Sequence, residues 1–432
     1  VWPHELDTLH ILFLTDNFPP EVNAPASRTF EHCREWVRNG ARVTVITGNP
    51  NFPEGKLMAG HRNRLLPQHE TIDGIEVVRV WSYISANEGF ARRIADYVSF
   101  AVMAFIAGLR VKPDVIVATS PQFFTSWAGC ALSKVKRRPW IFELRDLWPE
   151  SIVAVGAMKP GRLLRFLKRI ELGLYRDADR VVPVTDAFKR NLVARGIAAD
   201  KIEVVTNGVA MEQFSARPKD EALLARLGLT GKTVVAYIGT HGAAHALDFI
   251  VDSASDADPR FHFMFVGAGA EKARVVARAA ALGLGNCSFV DPVPKAEVVA
   301  YVASCDVMLV PLKRSDTFKT VIPSKIFEAA AMRRPILLGV EGQAQEIVEQ
   351  FGAGLWFKPE DRASFLATLD AITAPAAQPA FIAGCNALAA AYDRRRLAAR
   401  MLDVIGEVAE RTKPSGDLAG GPDNSADAID RV

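Results

Sequence analysis

LHILFLTDNFPPEVNAPASRTFEHCREWVRNGARVTVITG, residues 9–48, decides the fold. It opens on a near-continuous apolar run and breaks into a polar, proline-rich loop. A helical pattern follows, then a second apolar run, ARVTVITG (41–48). Strand, loop, helix, strand with a helix-length crossover is the unit of a parallel sheet. Continuous Val/Ile runs mark strands covered on both faces. The pattern recurs in PDVIVATSP (113–121), RPWIFELRD (138–146) and DRVVPVTD (179–186), and EVVTNGV (203–209) reads as one more strand and a turn.

The alternation restarts near residue 231. TVVAYIGT (233–240), FHFMFVGAG (261–269), CSFVDPV (287–293), DVMLVPL (306–312) and PILLGV (335–340) read as strands, most of them separated by helical stretches. The 432 residues exceed what one hydrophobic core serves, and two domains of roughly 200 residues each are expected. The sequence predicts an α/β chain of two doubly wound, Rossmann-like parallel-sheet domains. The carboxyl ends of their strands should face a central cleft, where such sheets bind ligands. We expect one Rossmann-like domain over 1–206 and a second over 207–390. The amphipathic helix over 391–412 should return to the first domain, and a Gly/Pro/Ser/Asp-rich tail over 413–432 should be disordered.

A net charge of +3 gives no argument for nucleic acid. Five scattered cysteines, none at metal-ligand spacing, favour a reducing compartment. The opening VWPHELDTLH lacks the basic start and apolar run of a secretory signal, and the most apolar stretch, YVSFAVMAFIAGL (97–109), is too short to span a bilayer. A cytoplasmic protein is expected.

Chemistry-bearing residues follow the second domain's strands. GTHGAAH (239–245) reads either as a loop whose amides meet anionic oxygens or as a turn that needs glycine. GAGAEK (267–272) lacks the third glycine of a dinucleotide fingerprint. In PSKIFEAAAMRRPIL (323–337), Ser324 and Lys325 sit in a helix's first turn with Glu328 one turn on. A cation there opposes the helix dipole by up to about 1 kcal/mol, which a bound phosphate would offset. Glu328 could then accept from a ribose diol. The other reading is an exposed lysine–glutamate pair.

FVGAGAEKARV, NCSFVDPVPKAEVVAYVASCDVMLVPL and PSKIFEAAAMRRPIL, in this order and with TNGV (206–209), resemble the nucleotide-sugar domain of glycosyltransferase family 4. NFPPEVNAPASR, GARVTVITG and ELRDLWPES (143–151) resemble the first domain of the branch that holds N-acetyl-L-fucosamine, colanic acid, capsule and O-antigen transferases. The resemblance covers roughly residues 8–410 and implies the GT-B fold, a nucleotide-sugar donor, retention at the anomeric carbon and no required metal or other cofactor.

By resemblance, the donor is held by Gly239, Thr240, His241, Gly242, Gly267, Val293, Thr320, Ser324, Lys325 and Glu328. Thr320 stands where the family's first glutamate would fall, eight residues before Glu328. The family's Arg and Lys after the second domain's first strand are missing, so His241, backbone amides and Lys325 would share the diphosphate. Arg145, Asp146, His241 and Lys325 are the catalytic candidates. Asn23, Arg28 and Arg145 are the acceptor candidates, and Arg145-Asp146 replaces the first domain's usual His-Asp pair.

RLLRFLKRIELGLY (162–175) is a basic amphipathic helix. It reads either as half-buried with a solvated face or as a membrane-surface helix. The latter suits a polyprenyl-diphosphate-linked acceptor at the inner membrane face. A nucleotide-sugar 2-epimerase and a non-catalytic nucleotide-sugar binder are the competing functions.

Overall fold

The computed structural model describes residues 9–21, 23–52, 55–84, 90–120, 123–149 and 161–411. The tail over 413–432, Glu150 and Ser151, all part of the sequence reading above, lie outside them.

Thirteen strands form two sheets among the described residues. The first contains β1 (His10–Leu14), β2 (Arg42–Thr47), β3 (Gln68–Ile72), β4 (Ile75–Arg79), β5 (Val115–Thr119), β6 (Trp140–Leu144) and β7 (Arg180–Pro183), in the order β3-β4-β2-β1-β5-β6-β7. All neighbours are parallel except β3 and β4. The second contains β8 (Thr233–Ile238), β9 (Phe261–Val266), β10 (Cys287–Val290), β11 (Val307–Pro311), β12 (Ile336–Gly339) and β13 (Gly354–Trp356), all parallel, in the order β10-β9-β8-β11-β12-β13. The order in which strands are added reverses beside β1 in one sheet and beside β8 in the other. Open α/β sheets bind ligands at such switch points.

Three strands escaped the sequence reading, which also placed one that does not form. The β3–β4 hairpin turns through Asp73-Gly74, with φ of 49° and 81°, the mirror-image turn that Asp-Gly favours. β13 has only three residues. Residues 203–209 do not form the expected strand. Glu203 and Val205 donate to Val181 and Pro183, but the chain then leaves the sheet to cross between domains.

Helices α1 (Ala24–Arg38), α2 (Phe90–Gly108), α3 (Phe123–Lys136), α4 (Arg162–Asp177) and α5 (Asp186–Ala194) belong to the first half. The second half carries α6 (Glu221–Arg226), α7 (Leu247–Ala254), α8 (Lys272–Ala281), α9 (Lys295–Ser304), α10 (Lys325–Ala331), α11 (Gln343–Phe351), α12 (Arg362–Ile372) and α13 (Gln378–Ala391), and α14 (Arg394–Arg411) ends the described chain. The start of α1 is written locally: Asn23 accepts from the Ala26 amide at 2.8 Å and Pro25 occupies the first turn.

α2, α3 and α4 cover one face of the first sheet, while α1 and α14 cover the other. α14 buries Leu397, Met401, Val404, Ile405 and Val408 there, at roughly 1.5–3 kcal/mol for each large side chain. The Trp36 indole donates to the Ala398 carbonyl at 2.8 Å, which fixes the register of α14 on α1.

Two chain crossings join the halves, and they touch. Val209 donates to the Tyr392 carbonyl, and Arg394 donates back to Val209, both at 3.0 Å. A Cβ on Gly208 would strike the Tyr392 carbonyl, so the glycine of TNGV is required by this crossing. Away from it, Gln343 at the start of α11 accepts from the Ala187 amide and donates to Asp186, both at 2.9 Å. The loops after β7 and β12 therefore meet, and the carboxyl ends of the two sheets face each other across a cleft.

Candidate active site

The wall contributed by the second domain is built from backbone packed on backbone. Gly239 ends β8 at φ 145°, and a Cβ there would lie 2.5 Å from Cε of Lys325. Cβ atoms on Gly267 and Gly269 would strike the carbonyls of Gly239 and His241. The loops after β8 and β9 are stitched by His241 N–H to Ala268 at 2.8 Å and Glu271 N–H to His241 at 2.9 Å. The glycines of GAGAEK thus serve close loop contact. The turn reading of GTHGAAH holds at its first glycine, whose φ of 145° disfavours a side chain, and the loop it opens covers a lysine.

Lys325 begins α10 and reaches under Gly239. Its ammonium lies 5.3 Å from the centre of the Tyr237 ring, a cation–π contact. The Tyr237 hydroxyl donates to the Thr240 carbonyl at 2.6 Å. Burial pushes the Lys325 pKa below that of an ordinary lysine, and Glu328 opposes this. Among the described residues no carboxylate lies within ion-pair distance of this ammonium. A largely buried ammonium without a carboxylate in contact is costly, and an anion in the cleft would offset that cost. Glu328 sits half-buried one turn along the same helix.

Three expectations for this wall change. His241 is fully buried and its pKa is pushed down to about 4, by burial first and then by Lys272, His245 and Lys325, with the Val266 carbonyl acting the other way. It is neutral at physiological pH and presents no cation to a diphosphate. Neither ring nitrogen has a hydrogen-bond partner in good geometry among the described residues. The second change concerns amides. Those of Gly239, His241, Ile326 and Phe327 already donate to protein carbonyls, so fewer remain for an anion than the sequence suggested. Thirdly, Ser324 caps α10 in helical geometry without a side-chain bond. Thr320 closes a short 3-10 turn, Asp316–Thr320, with its hydroxyl on the Thr317 carbonyl at 3.1 Å. Gly242 and Val293 are half-buried in the loops after β8 and β10, and Thr240 is exposed.

The first domain's wall is built from side chains. Ser120 Oγ, after β5, accepts from the amides of Arg145 at 2.8 Å and Asp146 at 3.3 Å. This fixes the turn after β6. Arg145 Nη1 donates to the Pro25 carbonyl at 3.2 Å. Burial lowers its pKa to about 10, against the pull of Glu143, with Arg28 and Arg394 adding to the fall.

Asn23 and Arg28 are not placed as acceptor contacts. Asn23 caps α1, and its amide donates to Asn17 at 2.7 Å. Arg28 is buried, with Nε on Glu143 at 3.0 Å, Nη1 on the Thr206 carbonyl at 2.6 Å and Asn207 at 3.2 Å, and Nη2 on the Val205 carbonyl at 2.9 Å. It holds the domain crossing. The sequence shows an arginine near a loop but not that three consecutive crossing residues converge on it.

Some polar groups of the cleft were not singled out from sequence. Asp16 follows β1 at the switch point. Burial, then Asp96 and Glu21, hold its carboxyl well above the ordinary range. Asp96 itself is raised to about 6 by burial, opposed by Ser82 and Arg93. Lys313 follows β11 at the other switch point, where its amide donates to Ala244 at 2.8 Å. A charged residue directly after an apolar strand is the signal that would have found both. A cavity of about 530 Å³ lies at the opposite, amino end of the first sheet, lined by His10, Arg42, Thr44 and Glu76. There Arg42 pairs with Glu76 at 2.9 Å and His10 bonds Thr44 at 2.8 Å, so its polar groups already satisfy one another.

Two doubly wound domains facing across a cleft define a class of two-domain α/β proteins. Known proteins specify the family. The family model for the glycosyl transferase 4-like domain matches residues 23–208, and that for glycosyl transferases group 1 matches residues 232–374. Together they take in most of the chain, which belongs to this family of GT-B glycosyltransferases. It is 24% identical over 403 residues to WcaI of Escherichia coli (strain K12), a candidate colanic acid biosynthesis glycosyl transferase, with 90% of this chain and 96% of WcaI covered. Sucrose-phosphate synthase from Thermosynechococcus elongatus shares the fold at a TM-score of 0.73 and 15% identity, over 93% of this chain and 100% of that one. Anabaena Alr3699/HepE, solved with UDP and glucose, does so at 0.66 and 18% identity, over 92% and 100%.

Proposed function

We propose that this protein is a retaining glycosyltransferase of cell-surface polysaccharide assembly. It would move a sugar from a UDP-sugar to a hydroxyl of a lipid-linked or polysaccharide acceptor, at the inner face of the membrane. The likeness to WcaI supports the pathway class, and the UDP held by Alr3699/HepE supports the donor nucleotide. One observation carries the reading: Lys325 lies beneath the β8 loop at the switch point facing the other domain, with no carboxylate within ion-pair distance among the described residues.

The chemistry follows from that cation. When the anomeric C–O bond breaks, negative charge builds on the departing diphosphate. A preorganised ammonium in a water-poor wall stabilises this charge. Glu328 would accept from the ribose diol. Retention follows if the acceptor hydroxyl attacks from the face the diphosphate leaves. Its proton passes to the departing phosphate oxygen as the new C–O bond forms. Arg145 and Asp146 lie on the wall the acceptor would enter along. The ammonium supplies the charge that a divalent ion supplies elsewhere, so turnover should survive a chelator.

Titration of the full chain with UDP, GDP, ADP and their sugars, read as thermal stabilisation, tests the donor. Saturation at 100 times Kd should stabilise by about 2.7 kcal/mol. Product analysis with and without a polyprenyl-diphosphate sugar tests the transfer. A free epimerised sugar, or stabilisation by no nucleotide, would overturn the reading.

A further inference from the structure

The face formed by α2, α3 and α4 is apolar at its centre and basic around it. Along α2, Val98, Val102 and Ile106 point outward at 38%, 51% and 42% exposure, one helical turn apart. Trp127 and Val135 on α3 and Phe166 on α4 extend the patch, the last two at 62% and 58%. Soluble surfaces seldom gather so many large apolar side chains on adjoining helices. The same three helices carry nine Lys and Arg against three acids. Of the acids, Glu171 is buried against Arg195, Asp177 pairs with Lys134 at 3.0 Å, and Asp96 is half-buried. The opposite face of the sheet differs, since arginines of α14 pair with acids there, Arg394 with Glu31, Arg395 with Glu212 and Arg400 with Glu203.

We propose that the α2–α3–α4 face docks on an anionic lipid bilayer, with Val98, Val102, Ile106 and Phe166 entering the interface and the basic residues of α4 meeting headgroups. This rests on the lipid-linked acceptor of the reading above and names the surface that serves it. A second copy of the chain is the other candidate occupant, but a twofold contact through this face would set basic helices against one another. Continuity with the cleft supports a bilayer. Trp127 packs on Phe123 at 5.5 Å, and Phe123 stacks on Trp148 at 4.3 Å, two residues beyond Asp146 on the acceptor loop. An aromatic run thus joins the docking face to the acceptor wall. No described helix is long and apolar enough to cross a membrane, so contact is interfacial.

Co-sedimentation of the full chain with phosphatidylcholine vesicles, with and without phosphatidylglycerol, at low and high salt, tests the docking. Binding should need the anionic lipid and weaken with salt. The pair Val102→Glu/Ile106→Glu and the pair Arg165→Glu/Arg169→Glu should each lower it at least about tenfold, while stabilisation by nucleotide stays as in the parent. Equal binding to both vesicle types, or both variants binding like the parent, overturns the docking. So does a dimer in sedimentation velocity that the Val102/Ile106 variant dissolves. Vesicle binding without any nucleotide response would instead leave the docking standing and sink the donor reading.

Discussion

Arg28 and Lys325 are two sequestered cations on facing walls of one cleft, and their surroundings are opposite. Arg28 has four partners, one carboxylate, two carbonyls and one amide oxygen, all within 3.2 Å. Lys325 has an aromatic ring, a glycine and a carboxylate one helical turn away. The first cation is satisfied by the protein and holds the crossing between domains. Under the proposed function, an anion in the cleft would complete the second. A charge that the fold leaves uncompensated marks a ligand site better than a charge that is merely present.

Substitutions that break this contrast range from large effects to small. Arg28→Ala should cost about 3–5 kcal/mol of stability, because Glu143 is left buried and unpaired. Urea denaturation measures it, and a normally stable variant with a raised acceptor KM would return Arg28 to the acceptor site. Lys325→Met should leave the fold intact by circular dichroism yet lower turnover about 10²–10³-fold, the usual loss when one preorganised donor to a developing charge is removed. Full nucleotide affinity in that variant would erase the distinction between the walls.

Glu328→Gln should weaken nucleoside diphosphate binding by about 1.5–3 kcal/mol, the range for hydrogen bonds to a charged group. The deoxyribose analogue should lose less in the variant than in the parent, which calorimetry resolves. A pH effect probes the neutral histidine. His241 is held at about 4 by burial, below its unfolded value near 6.5. The unfolded chain therefore takes up this proton first. Stability present above pH 6.5 should fall as pH drops toward 4, by at most about 1.4 kcal/mol per pH unit. His241→Leu should flatten that slope in thermal melts, and an unchanged slope would assign it to other groups.

The glycines sharpen the same comparison. A Cβ on Gly267 would meet backbone, whereas one on Gly239 would meet the end of a flexible lysine. Gly267→Ala should therefore disturb the donor wall more than contact with Lys325 alone would at Gly239.

Much of the fold was legible in sequence because periodicity is local. Ten of the expected strands sit where Val/Ile runs end in a polar loop. The missed β3–β4 hairpin had its Asp-Gly turn in plain view. β13 had only three residues to announce it. The expected strand at 203–209 failed for a non-local reason, since its backbone groups are claimed by Arg28 and by the returning chain at Tyr392.

The sequence by itself determined the parallel-sheet domains, the switch-point loops and the nomination of Lys325 and Glu328, because these follow from residue order and spacing. Tertiary structure alone decided which charges are spent and which remain open. Burial and partnership depend on residues far apart in the chain: Arg28 meets Glu143 and the crossing at 205–207, and Lys325 meets the loop at 239. The cost of a buried charge is set by what touches it, and no sequence pattern states that.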